Sequence, residues 1–188
     1  MPELQLPYRS EKATQGFSIV LGLSTSLFKV FPEHVVWNNI EFIKKKEFHT
    51  TLVHVHDTVQ EEKVVSLFSR FVAEKSINVL SFSGELRSAM KENRQTLLVL
   101  CAVSNLAEFF TDMHVSLGLD IPVQPTHVTL YTLPNGRGIA VDSEEEMRQL
   151  PLVSLLGCNA PRLAAGLHEI ISVEADALPR KTPRWSPP

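Results

Sequence analysis

The chain has 188 residues, enough for one domain or two small fused lobes around a real core. Hydrophobic residues make up 44% and charged residues 21%, an ordinary soluble globular balance that excludes a disordered or fibrous chain. The formal net charge of −3 gives no global attraction to nucleic acid, so any anion site must be a local patch. The two cysteines, Cys101 and Cys158, offer neither a disulfide framework nor zinc-ligand spacing. Cys101 sits in the apolar run Leu97 to Val103 and reads as a buried thiol. The N-terminal stretch lacks the apolar centre of a signal peptide, and no apolar run approaches the roughly 20 residues that span a bilayer. A reducing, cytoplasmic setting with no membrane association is the expectation.

In chain order, residues 1–15 read as a loose leader, 16–176 as the folded domain, and the proline-rich segment 177–188 as a disordered tail. Phe17 to Leu23 reads as a buried strand. Ser24 to Glu41 reads as mixed loop and short helix. The alternating, β-branched run Phe48 to Val55 predicts a strand. Asp57 or Thr58 then caps a helix to about Lys75, with Glu61 and Glu62 in its first turn and Val64, Leu67, Phe68, Phe71 and Val72 as its apolar stripe. Val79 to Ala89 and Thr96 to Val103 predict two strands joined by the hairpin Lys91 to Gln95. Asn105 opens a helix through about Leu117, closed by Gly118. A strand over Thr126 to Leu133, a turn at Pro134 to Gly138, a short strand over Gly138 to Val141 and a helix capped by Asp142 or Ser143 follow. Residues 151–176 add a last helix and a possible strand. The reading is α+β, with two pseudo-symmetric halves.

Two strings carry the chemistry: His49-Thr50-Thr51-Leu52 and His127-Val128-Thr129-Leu130. Both fit His-x-Thr-hydrophobic and both open a predicted strand. In a strand, residues i and i+2 share a face, so each string offers one imidazole and one hydroxyl to the same side. Cleaving a phosphodiester needs a base for the attacking oxygen and an acid for the departing one. Histidine titrates near neutrality and serves either role. Threonine hydroxyls donate to the non-bridging oxygens where negative charge grows.

The bare pattern is weak, since a histidine matches it by chance roughly one time in sixteen. His56-Asp57-Thr58-Val59 and His114-Val115-Ser116-Leu117 match as well. His114 lies in a helical pattern, where i and i+2 diverge, and Thr58 is better placed as a helix cap. Only His49 and His127 open alternating strands, at similar places in the two halves. Tyr131 is expected on the face of Thr129, where it would stack on a base or line the cleft wall. Phe48 and Trp37 are weaker stacking candidates. Arg87, Lys91, Arg94 and Arg137 lie near the presumed cleft, where an arginine could grip phosphate bidentately. The run Lys44-Lys45-Lys46 reads as a solvated face. His54 and His56 lack the further ligand that a metal site needs, so no metal and no cofactor are expected.

Paired His-x-Thr-hydrophobic strands in a chain of this size resemble the two-histidine (2H) phosphoesterase superfamily. That superfamily includes RNA 2′,3′-cyclic phosphodiesterases and bacterial 2′-5′ RNA ligase-like proteins. The resemblance spans roughly residues 15–175, and its specific part is the two tetrads. It implies two α+β lobes of antiparallel sheet and helices flanking a central cleft. It also implies His49 and His127 as acid and base, Thr51 and Thr129 as phosphate ligands, and a metal-independent reaction. The implied function is hydrolysis of a 2′,3′-cyclic phosphate on an RNA end or a nucleotide, by a monomer. The alternatives are 2′-5′ RNA ligation, cleavage of another cyclic nucleotide or oligonucleotide, or a non-catalytic RNA- or nucleotide-binding module.

Overall fold

The computed structural model of the protein describes residues 7–13, 15–141 and 143–153. Among these residues, eight strands form one antiparallel sheet: β1 (Tyr8–Lys12), β2 (Phe17–Leu23), β3 (His34–Trp37), β4 (Ile40–Lys44), β5 (Phe48–Val55), β6 (Val79–Lys91), β7 (Arg94–Val103) and β8 (His127–Thr132). Among the described residues, three α-helices accompany them: α1 (Glu61–Glu74), α2 (Leu106–Leu117) and α3 (Glu144–Gln149). The fold is therefore α+β. Among the described residues, no helix is long and apolar enough to cross a membrane.

The path β1-β2-β5-β8-β4-β3 runs across the sheet, and β7 joins β8 on its other edge with β6 outside it. Helices α1 and α2 cover one face. Phe68 of α1 meets Phe109 of α2 edge-on at 5.1 Å, above the buried Leu52, Val53, Leu97 and Val99. The opposite face carries a smaller apolar cluster of Ala89, Leu98, Ile139, Val141 and Met147. Both sides of the sheet thus bury apolar surface, which is why β7 reads as a nearly continuous hydrophobic run.

The strand registers expose an internal repeat. Every pairing of β1 with β2 recurs between β6 and β7 at a constant offset of 78 residues. Tyr8 faces Leu21 as Leu86 faces Val99, and Lys12 faces Phe17 as Met90 faces Gln95. The same offset carries β2–β5 onto β7–β8: Gly22 faces His49 as Leu100 faces His127, and Val20 faces Thr51 as Leu98 faces Thr129. The central strands β5 and β8 meet at Thr50 and Val128, themselves 78 apart. A pseudo-twofold axis therefore runs through that pair, perpendicular to the sheet.

Local chemistry explains the elements that differ from expectation. Residues 8–12 form an edge strand rather than a loose leader; Tyr8 anchors it by donating its hydroxyl to the Ile77 carbonyl at 2.7 Å. The segment after β2 opens with the expected short helix, a 3-10 one (Thr25–Phe28), but its second half is the β3–β4 hairpin rather than loop. Asn38 and Asn39 both adopt positive φ (52° and 60°) in a two-residue turn, the geometry that matches strand twist and that asparagine tolerates. Residues 138–141 are irregular rather than a strand. Asp57 caps a 3-10 turn that leads into α1, and Ser143 Oγ accepts from Glu146 N to cap α3. Asn105 gives no side-chain cap; its amide donates to the Ser76 carbonyl at 2.8 Å. Gly118, with φ of 67°, closes α2 as expected. The expected final helix and the tail lie outside the described residues, apart from 151–153, where Leu152 bridges to Arg87.

Candidate active site

Because Thr50 lies opposite Val128 in antiparallel register, His49 falls beside Thr129 and Thr51 beside His127. All four side chains project from one face, while Thr50, Leu52, Val128 and Leu130 are buried on the other. They line one cavity of about 250 Å³, shared with Ser18, Lys45, Glu47, His54, Gln124, Pro125 and Gly138 to Val141.

Each His-x-Thr unit ends at a bulge. Between Thr51 and Val53 the partner strand advances only from Val20 to Ile19, so β5 holds one extra residue at Leu52. Between Thr129 and Tyr131 the partner advances only from Leu98 to Leu97, so β8 holds one at Leu130. A bulge resets the alternation of faces and is commonly found beside functional sites. Here it lets two successive residues on each strand, Leu52–Val53 and Leu130–Tyr131, turn into the core.

Both histidines are partly buried; Nδ1 of His49 is buried with no hydrogen-bond partner, whereas the His127 ring lies against the carbonyls of Ile139 and Pro125. An orphaned buried nitrogen is uncommon and costs about 1–3 kcal/mol. His127 Nε2 donates to the Ile139 carbonyl at 3.3 Å. Burial holds the pKa of both rings below the ordinary histidine value. For His127, the carbonyls of Ile139 and Pro125 partly offset that, and the charge of His49 adds to it. For His49, Glu11 and Glu47 raise the pKa while Arg9 and Lys45 lower it. The charge of His49 opposes protonation of His127, so the doubly protonated state is disfavoured. One ring neutral and one charged is the combination acid–base catalysis needs.

Gly138 completes the wall. A Cβ there would meet Thr129 Oγ1 at 3.2 Å, so the hydroxyl would have to shift slightly to admit any other residue.

The remaining candidates fall elsewhere. Tyr131 is fully buried on the core side and donates its hydroxyl to the Pro32 carbonyl at 3.1 Å, because the bulge at Leu130 reverses its face. Burial also raises its pKa. Phe48 packs in the core, 4.1 Å from Phe28 between ring centroids. Arg87 is committed to structure: its guanidinium donates to the carbonyls of Met147, Arg148 and Leu150 at the C-terminal end of α3. Lys91 donates to the Ala140 carbonyl, bracing the cavity wall from behind. Arg137 is exposed beside Gly138 but does not line the cavity. His34 and His114 are exposed surface residues.

Several cavity residues escaped the sequence reading. His54 has parity opposite to His49 and faces the cavity only because of the bulge at Leu52; Ser18 Oγ sits 2.9 Å from its Nδ1. Gln124 clamps the His54 backbone on both sides, accepting from its N–H at 2.8 Å and donating to its carbonyl at 2.9 Å. Lys45, read as solvated, lines the cavity as well. Among the described residues, no three His, Cys, Asp or Glu side chains gather as a metal site would require. No family model, curated protein or solved structure matches the chain.

Proposed function

We propose that the protein is a 2H-type phosphodiesterase that hydrolyses 2′,3′-cyclic phosphates on RNA ends or nucleotides. One observation carries this reading: two His-x-Thr units, related by a pseudo-twofold axis, converge on a single cavity. The halves before and after the repeat boundary are the two lobes of such a site. A phosphate seated on the axis has an imidazole and a hydroxyl on either side. The neutral histidine takes a proton from water as the water oxygen bonds to phosphorus. The charged histidine gives its proton to the ribose oxygen as the old P–O bond breaks. The products are a phosphomonoester and a free ribose hydroxyl, and the exchanged roles of the two rings reset by proton transfer with solvent. Thr51 and Thr129 donate to the non-bridging oxygens, where charge accumulates in the transition state. These steps need only side chains, so turnover should persist in chelator.

The test is incubation with the four nucleoside 2′,3′-cyclic phosphates in EDTA, followed by chromatography of the products. Turnover that disappears in both His49→Ala and His127→Ala supports the reading. Tight binding without turnover would replace it with a nucleotide-binding module, and chelator-sensitive turnover would replace it with metal chemistry.

A further inference from the structure

Three consecutive lysines leave β4 and have three different environments. Lys44 donates to the Phe31 carbonyl at 2.8 Å and pairs with Glu33. Lys46 is exposed. Lys45, between them, is partly buried and lines the cavity. Its backbone is fixed: Lys45 N donates to the Leu130 carbonyl at 2.8 Å, continuing the β4–β8 ladder to the bulge that follows Thr129. Its side chain has no hydrogen-bond or ion-pair partner among the described residues, and no other lysine or arginine among them lines the cavity. Its charge reaches His49, whose pKa it lowers.

The internal repeat sharpens the point. The residue 78 positions on is Val123, an exposed apolar side chain. The two imidazoles and two hydroxyls are duplicated across the axis, whereas this cation is supplied from one side only. A flexible ammonium held beside an otherwise neutral hydroxyl pair is suited to a phosphate oxygen, since lysine serves as a point charge for anions. Glu47 lines the same cavity and opposes it.

We infer that Lys45 is the anion-binding cation of this site, contacting a non-bridging oxygen of the phosphate that His49 and His127 straddle. The inference rests on the proposed phosphodiesterase reading for its catalytic consequence, but anion binding tests it separately. Lys45 neutralises charge that grows as phosphorus becomes five-coordinate, so its loss should depress kcat more than it raises KM. The one-sided placement also fixes which way round an unsymmetrical phosphodiester lies.

Two measurements on the full chain test this. Inorganic phosphate is titrated calorimetrically into the wild type, Lys45→Met, Lys45→Arg and Glu47→Gln, with thermal melts to check folding. Removing the charge-assisted contact should weaken phosphate binding roughly tenfold in Lys45→Met, with largely restored binding in Lys45→Arg. Glu47→Gln should tighten it a few-fold. Turnover of a 2′,3′-cyclic phosphate should then fall roughly a hundredfold in kcat/KM for Lys45→Met, mostly in kcat. Unchanged phosphate affinity in folded Lys45→Met overturns the inference, whatever the turnover. If the wild type binds phosphate through Lys45 yet turns over no cyclic phosphate, the function proposed above fails and the anion site stands.

Discussion

Residues 24–47 and 104–126 link equivalent strands of the repeat, yet they fold differently. The first link, between β2 and β5, is a 3-10 turn and the β3–β4 hairpin; the second, between β7 and β8, is helix α2. Composition explains the divergence. The first has Val35, Val36, Trp37, Ile40, Phe42 and Ile43 around an Asn-Asn turn, a hairpin pattern. The second has Leu, Ala, Glu, Phe and Met ending at Gly118, a helical one. The strand registers on either side are nonetheless superimposable at a single offset. Placement of the histidines is therefore a property of the sheet, while the links set what surrounds them. The hairpin link delivers Lys45 and Glu47 to the cavity, and the helical link delivers Gln124 and Pro125. A similar split separates Arg9 from its counterpart Arg87. Arg9 pairs with Glu11 at the open edge, whereas Arg87 is locked under α3.

The comparison is most easily broken at the histidines. If the halves contribute equally, His49→Ala and His127→Ala should each lower kcat/KM for a cyclic phosphate by roughly 10³-fold or more. The double variant should be little worse than either single one. Substantial activity left in one single variant would mean that the two halves are not chemically equivalent. Next in size, Thr51→Val and Thr129→Val should each cost roughly 10²-fold in kcat, read from steady-state rates at saturating substrate. A loss confined to one of them would place the phosphate off the axis.

The pH dependence is smaller but sharp in sign. Both imidazoles have folded-state pKa values depressed below 6.5 by burial. The unfolded chain therefore binds more protons than the folded one as pH falls from about 6.5 towards those depressed values. Stability from the neutral rings is complete above about 6.5 and is lost through that window on acidification. A thermal melt should show Tm falling between pH 7 and 5, with a shallower fall in His127→Gln. The activity optimum should lie on the acid side of 6.5, since one ring must stay charged. An optimum above pH 8 would contradict the burial argument. Smallest of all, Gly138→Ala should cut kcat/KM several-fold by pressing on Thr129 Oγ1, with Tm nearly unchanged, because the added methyl meets a single side chain at 3.2 Å.

Much of this arrangement was legible in the sequence where local pattern and tertiary role coincide. The strands opening at His49 and His127, the α1 stripe from Val64 to Phe71 and the glycine stop of α2 all follow from periodicity and caps. Elements whose reason is non-local were not. Strand β1, Tyr8–Lys12, is mostly polar and is fixed by a hydroxyl reaching residue 77, which no local window contains. Tyr131 was expected beside Thr129 on the strength of period-two alternation, and an extra residue at Leu130 defeats that rule. The same kind of insertion brings His54 onto the cavity side. Arg87 has the composition of a phosphate ligand, but α3 supplies three carbonyls that claim its guanidinium first. Lysine runs are ordinarily solvated, and only the β4–β8 ladder separates Lys45 from its neighbours.

The paired bulges have a consequence for how this chain could tolerate change in length. Leu52 and Leu130 act as phase shifters, each advancing the pleat by half a cycle. Excising either would turn the bulge into a regular ladder with the same downstream pairs, leaving His54 on the cavity side and Tyr131 in the core at the cost of one buried leucine. A residue lost from the segment between β2 and β5 would leave both sets of facings intact. Single-residue deletions should therefore be tolerated best in the connections, cost only packing at these two leucines, and be ruinous elsewhere in β5 and β8, where no extra residue can absorb the slip.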